Sequence, residues 1–155
     1  MAEKITIEKH ESNVFNDLYT EINGTDKNEK IKSETGVLSW INAGAGNDKI
    51  TGVNKYDMLA GNEGNDTITA SKAKGEVEIY GGTGNDSLTG SSYNDYISGG
   101  DGEDIIRGGK GNDTLRGNAP TTETTNPDDK VKDTFLFYKG DGQDEIDSSY
   151  NNFQL

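Results

Sequence analysis

The sequence predicts an all-β fold, a parallel right-handed β-helix or solenoid with a capping segment at each end. Three observations predict it. A nine-residue pattern recurs in phase from Ala43 to Arg116, with glycines at the front of most blocks and Asp at the sixth place. A branched apolar residue follows at the eighth place, giving the series Ile50, Leu59, Ile68, Leu88, Ile97, Ile106 and Leu115. Apolar residues make up only 29% of the 155 residues, too few for a globular core but enough for a column one side chain thick.

Each element follows from its residues. Residues 1–23 form an N-terminal cap, because a repeat array needs a cover on its first open rung. Within it, Lys4-Ile5-Thr6-Ile7-Glu8 alternates as a half-exposed strand does, while Val14, Phe15, Leu18, Tyr19 and Ile22 fit a short amphipathic helix or a capping strand. Residues 24–42 hold a degenerate repeat, Gly24 to Lys32 with Glu29 sixth and Ile31 eighth, and an entry coil with Val37, Leu38, Trp40 and Ile41. Trp40 reads as a plug in the first coil, with a sugar platform as the alternative.

The core, 43–116, contains the turns Ala43-Gly44-Ala45-Gly46-Asn47-Asp48, Gly61-Asn62-Glu63-Gly64-Asn65-Asp66, Gly81-Gly82-Thr83-Gly84-Asn85-Asp86 and Gly99-Gly100-Asp101-Gly102-Glu103-Asp104. Glycine supplies the positive φ and close backbone approach that such tight turns need. Each turn leads into three strand residues whose centre points inward, so two blocks make one coil and each coil stacks on the next eighteen residues later. That puts the four turns above on one edge. The other edge carries Gly52 to Asp57, the irregular stretch 70–80, Gly90-Ser91-Ser92-Tyr93-Asn94-Asp95, Gly108-Gly109-Lys110-Gly111-Asn112-Asp113 and finally Lys139-Gly140-Asp141-Gly142-Gln143-Asp144. The stretch 70–80 has no Asp, and Val77 or Ile79 serves as its inward residue. The edges are therefore expected to be unequal, the second poorly supplied with ligands until its C-terminal end. Residues 117–132, which hold both prolines, read as an inserted exposed loop. Residues 133–155 supply the last repeat and a C-terminal cap, with Phe135 inward and the aromatics of Phe135-Leu136-Phe137 closing the column.

Rows of carboxylates and main-chain carbonyls, with no cysteine and one histidine in the chain, suit a hard cation taking six to eight oxygens, Ca²⁺ before Mg²⁺. Stacked at strand spacing (~4.8 Å), such carboxylates repel unless a cation lies between them. The pattern G-G-x-G-x-D-x-U-x carried by these blocks resembles the calcium-binding nonapeptide repeat of RTX (repeats-in-toxin) proteins, whose haemolysin-type domain is a β-roll. The resemblance implies that each ion is shared by turns two blocks apart. One turn gives carbonyls from its first, third and fifth places; the other gives carbonyls from its second and fourth places and the Asp carboxylate. On this chain that pairs 43–48 with 61–66, 61–66 with 81–86, 81–86 with 99–104, 90–95 with 108–113 and 108–113 with 139–144. A further pairing joins 24–29 to 43–48, and the expected total is about four to six Ca²⁺ ions.

Composition excludes several roles. A net charge of −13 repels nucleic acid. No apolar run reaches transmembrane length, and no signal peptide is visible at the N-terminus. No nucleophile elbow, P-loop or zinc motif occurs, so an enzyme is not expected. The resemblance implies a calcium-binding module of a larger secreted bacterial protein (a toxin, protease, lipase or adhesin) that folds outside the cell and engages type I secretion machinery. Eight residues follow the last repeat, short for a secretion signal of that kind, which suggests a fragment of a longer polypeptide. The alternative is an extracellular module that binds polysaccharide, a cell surface or ice through its outer face.

Overall fold

A computed structural model describes residues 5–11, 18–117 and 132–147. Among these residues there is no helix, and the strands form two facing sheets. The larger sheet contains, in spatial order, β1 (Thr6–Glu11), β2 (Leu18–Thr25), β4 (Leu38–Ala45), β6 (Met58–Glu63), β8 (Glu78–Thr83), β10 (Tyr96–Asp101), β12 (Thr114–Arg116) and β14 (Glu145–Ile146). The smaller contains β3 (Lys30–Lys32), β5 (Lys49–Thr51), β7 (Thr67–Thr69), β9 (Ser87–Thr89), β11 (Ile105–Arg107) and β13 (Thr134–Phe135). From β2 onward the chain alternates between the sheets, so each strand pairs in parallel with the one a full coil away, giving a β-solenoid of about five turns.

The register follows the nonapeptide phase. Ile41, Leu59, Ile79, Ile97 and Leu115 align across the larger sheet, and Ile31, Ile50, Ile68, Leu88 and Ile106 across the smaller. These ten side chains are at most 4% exposed. A three-residue strand can bury only its centre, because successive side chains point to opposite faces, and β3 does so with Ile31 between two exposed lysines. Each buried Ile or Leu contributes about 1.5–3 kcal/mol, so the column alone favours stacking, while the turns decide what the stack must tolerate.

Between Leu59 and Ile79 the step is twenty residues, against eighteen between Ile79 and Ile97. The additional residues are taken up in the turn after β7, where Ala70 and Ala73 are buried and the Ala73 N–H donates to the Ala70 carbonyl at 2.8 Å. Ile79 is the inward residue of β8, as the sequence allowed.

Of the two forms the N-terminal cap allowed, helix or strand, Leu18, Tyr19 and Ile22 take the strand; Val14 and Phe15 fall outside the described residues. Two other expectations, at Trp40 and at Phe137, are corrected by the structure. β1 pairs antiparallel with β2 and closes that edge of the larger sheet. Trp40 is not a core plug: it is 48% exposed on the outer face of β4, edge-on to Tyr19 with ring centroids 6.1 Å apart. The strand period dictates this, since Ile41 already occupies the inward place beside it. At the C-terminal end Phe135 packs against the column, but Phe137 is 51% exposed and does not close it. Two steps along a strand keep a face, but β13 ends at Phe135, so the alternation does not carry on to Phe137. The inserted loop lies almost wholly in residues 118–131, outside the described set.

Candidate metal centres in the two turn columns

The turns stack in two columns, one on each edge of the solenoid. On the first, the sixth-place residues are Glu29, Asp48, Asp66, Asp86 and Asp104. Their links are side chain to backbone: the Asp48 N–H donates to Asp66 Oδ1 (2.7 Å), that of Asp66 to Asp86 Oδ1 (2.7 Å) and that of Asp86 to Asp104 Oδ1 (2.8 Å). Glu29 begins the series by donating its N–H to Asp48 Oδ1 (2.7 Å). The second column contains Ser39, Asp57, Val77, Asp95, Asp113 and Asp144, linked in the same way wherever an Asp is present.

Each Asp thus spends one oxygen on the preceding turn, and the fate of the other oxygen divides the columns. Oδ2 of Asp48, Asp66, Asp86, Asp104 and Asp113 is buried without a hydrogen-bond partner. Leaving a buried carboxylate oxygen unpaired costs about 1–3 kcal/mol or more, so five in phase fit a cation as their partner. Oxygens from the next turn converge on the same place. A Cβ added at Gly61 would lie 2.6 Å from the Gly81 carbonyl oxygen and closer still to Asp66 Oδ2. Gly81 stands in the same relation to Asp86 Oδ2 and the Gly99 carbonyl. Glycine at the first place therefore keeps open the space where a carboxylate oxygen and a carbonyl oxygen meet. Among the described residues no three His, Cys, Asp or Glu side chains converge, so a cation in these turns would draw largely on main-chain oxygen beside the Asp carboxylate. That all-oxygen set fits Ca²⁺, which needs several oxygens at 2.3–2.6 Å and accepts carbonyls readily.

Asp57 and Asp95 behave differently. Asp57 Oδ2 accepts the N–H groups of Val53 and Asn54 (both 3.0 Å), and Asn54 Nδ2 also reaches Asp57 Oδ1 (3.2 Å). Asp95 accepts the Ser91 N–H on Oδ2 and the Ser91 hydroxyl on Oδ1 (2.9 Å). In both turns N–H groups of the same turn take the Oδ2 that stays partnerless at Asp48, Asp66, Asp86 and Asp104. Glu29 is likewise satisfied, by the Thr25 N–H (2.9 Å) and hydroxyl (2.6 Å). Val77, 2% exposed, stands where the second column would have its next carboxylate. Among the described residues, the second column thus offers a buried partnerless carboxylate oxygen only at Asp113, toward its C-terminal end.

The electrostatics follow the burial. Desolvation pushes the Asp86 carboxyl up to about 6 and those of Asp104 and Asp113 to about 7; the N–H donated from the preceding turn opposes this, and neighbouring carboxylates add to it. Asp48, Asp66 and Asp95 are raised as well, burial again being the largest cause. Burial favours the protonated form of each of these carboxyls, and a divalent ion would supply the charge that favours the ionised form.

The remaining candidate residues divide by role. Gly44, Gly46, Gly82, Gly84, Gly100, Gly102, Gly109, Gly111, Gly140 and Gly142 have positive φ. A side chain is not excluded at every such turn, since Asn62 takes φ 78° in the second place of its block. Asn47, Asn65, Asn85, Asn94 and Asn112 form an arrangement that the repeat pattern did not disclose. The Oδ1 of Asn47 accepts the Asn65 N–H (2.8 Å), that of Asn65 accepts the Asn85 N–H (2.7 Å), and that of Asn85 accepts the Glu103 N–H (3.0 Å). On the other edge Asn94 accepts from Asn112 and Asn112 from Gln143. These amides accept from the following turn, whereas the Asp carboxylates accept from the preceding one. The recurrence of Asn before Asp was the available signal. Ala45, Glu63, Thr83, Asp101 and Lys110 fill the variable third place, and Ser92 occupies it in the turn before Asp95.

The RTX calcium-binding nonapeptide repeat matches the chain at residues 39–52, 56–72 and 80–115, in four copies. No curated protein and no solved structure matches the chain. The matched segments contain all five partnerless aspartates, and the repeat is structural and calcium-binding rather than catalytic. In phase, in architecture and in family, the segment 39–115 belongs to the RTX calcium-binding nonapeptide repeats, and it folds as their β-roll.

Proposed function

We propose that this β-roll folds when calcium enters its turn columns, and that it serves the export and extracellular folding of a larger secreted protein. The observation that carries this is the set of buried, partnerless Oδ2 atoms at Asp48, Asp66, Asp86, Asp104 and Asp113. In the unfolded chain no such pocket exists, so the free energy of ion binding becomes free energy of folding. A chain with net charge −13 also resists compaction until cations offset the repulsion. Such a module stays open where free calcium is scarce and closes where it is plentiful. That is a useful property for a chain threaded through a type I export channel, a setting that rests on family resemblance alone. The pairs favoured for calcium are 43–48 with 61–66, 61–66 with 81–86, 81–86 with 99–104, and 108–113 with 139–144. The pairs led by Glu29 and Asp95 have carboxylates already satisfied by protein donors, which makes them the weaker sites.

Far-UV circular dichroism tests this, with CaCl₂ titrated into EDTA-treated protein and MgCl₂ as the control. A cooperative coil-to-β transition with calcium alone is expected. A spectrum already rich in β structure in EDTA, unmoved by calcium, would overturn the coupled-folding reading. A second reading, an extracellular polysaccharide-binding module, is favoured by Trp40, Tyr80 and Tyr96 on the outer face of the larger sheet, with the two tyrosine rings 5.7 Å apart. Trp40 fluorescence that shifts on adding soluble polysaccharide to the calcium-loaded protein would support it.

A further inference from the structure

Asp104 is only 1% exposed and its Oδ2 has no hydrogen-bond partner, yet the next nonapeptide, 108–113, belongs to the opposite column. The family match also ends at residue 115. The chain comes back to the first column at Gly117 and again, beyond residues 118–131, at Asp133. Those two residues complete a turn as a contiguous block would. The Gly100 N–H donates to the Gly117 carbonyl (2.7 Å), the Asp104 N–H to Asp133 Oδ1 (3.1 Å) and the Thr134 N–H to the Asp104 carbonyl (2.7 Å). The last two bonds repeat those of the turn before, where Asp86 donates to Asp104 Oδ1 and Ile105 to the Asp86 carbonyl, each at 2.8 Å.

The open space recurs too. A Cβ at Gly99 would lie 2.6 Å from the Gly117 carbonyl oxygen and closer still to Asp104 Oδ2, as at Gly61 with Gly81 and Asp66. At Gly117 a Cβ would lie 2.8 Å from Asp133 Cγ, so this glycine is held against Asp133 as Gly99 is against Asp104.

From this we propose a further calcium site, formed by Asp104 Oδ2 and the Gly117 carbonyl oxygen, in a turn that Asp133 closes from across the intervening residues 118–131. The site rests on the reading of the turn columns as calcium centres and extends it beyond the matched repeats. It gives calcium a second task. An ion here fixes both ends of the intervening segment and so seats residues 132–147 on the roll. The loop closure that a contiguous nonapeptide gets from its own short length would here come from the metal.

Calcium counted by equilibrium dialysis of the wild-type chain, Asp66→Asn and Asp104→Asn tests the site. Each variant is expected to bind one ion fewer than wild type. If Asp66→Asn loses an ion and Asp104→Asn does not, the split site is wrong. If wild type binds no calcium, the reading of the turns fails, and this site with it. Anomalous scattering from wild-type crystals grown in CaCl₂ provides a check that does not depend on a variant folding. A peak between Asp104 Oδ2 and the Gly117 oxygen is expected, and peaks in the other first-column turns with none there would overturn the proposal.

Discussion

Residue 43 and residue 61 hold equivalent places in the first column, yet one is alanine and the other glycine. Exchanging their side chains isolates the role of the open space beside each aspartate. In Gly61→Ala the new methyl would lie 2.6 Å from the Gly81 oxygen, with Asp66 Oδ2 nearer still. Both atoms belong to rungs held by parallel hydrogen bonds on either side, so neither can retreat far. Overpacking of this kind costs about 1–3 kcal/mol, which at 1.4 kcal/mol per tenfold weakens calcium binding at that turn by roughly 5- to 150-fold. Gly61 does not have positive φ, so backbone strain adds nothing. Gly36→Ala is the matched control: its φ of +87° strains an alanine, but nothing lies within 4 Å of the added Cβ. Ala43→Gly runs the experiment in reverse and is expected to tighten the site shared by 43–48 and 61–66. Isothermal titration of calcium into the three variants, with dialysis counts, reads the outcome. Gly61→Ala should lose affinity or one ion, Ala43→Gly should gain affinity, and Gly36→Ala should lower thermal stability with its ion count intact. Equal calcium binding by Gly61→Ala and Gly36→Ala would refute the idea that the first-place glycine keeps space for a cation.

Three other outcomes are expected. Asp57→Asn should leave the calcium count unchanged but destabilise the folded state by about 1–3 kcal/mol, because the Val53 and Asn54 N–H groups lose a charged acceptor; Asp86→Asn should remove an ion, and dialysis combined with thermal melts separates the two. The pH dependence should reverse sign with metal. In EDTA the folded chain binds protons at Asp104 and Asp113 up to about pH 7, whereas the unfolded chain releases them near the ordinary carboxylate value of 3.8. Metal-free stability is therefore fully present below that value and is lost as pH rises through about 7, while the calcium affinity rises over the same window as ion and proton compete for the same oxygens; melts in EDTA and calcium titrations across this range read both slopes. Finally, Trp40, 48% exposed, should remain accessible to iodide quenching in the calcium-loaded protein, and full protection would place it back in the column.

The sequence by itself determined the repeat, and the repeat determined most of the fold. A strict nine-residue phase leaves little freedom: glycines demand turns, three residues make a strand, and one apolar centre per strand must face its counterpart across the coil. Ile41, Leu59, Ile79 and Ile97 align because no other register buries them. The same phase named the turns and the class of cation, and it marked the stretch 70–80 as poor in ligands. It also set the edge of Asp57 and Asp95 below that of Asp86 and Asp104, but it did not disclose what each carboxylate does. Asp57, Asp86, Asp95 and Asp104 all occupy the sixth place of their blocks, but only the tertiary structure shows Asn54 and Ser91 folding back to satisfy Asp57 and Asp95 while Asp86 and Asp104 keep an oxygen partnerless. That difference depends on side chains three or four residues away within the same turn, and a pattern of residue types does not record which donors reach. The frame resumes at Asp133 in the sequence, but only the tertiary structure shows that it shares a turn with Gly117, because a stacked rung is defined by hydrogen bonds to its neighbour and is indifferent to the length of chain between its ends. Trp40 is outside for the same kind of reason: once Ile41 holds the inward place, strand alternation leaves its neighbour only the solvent face.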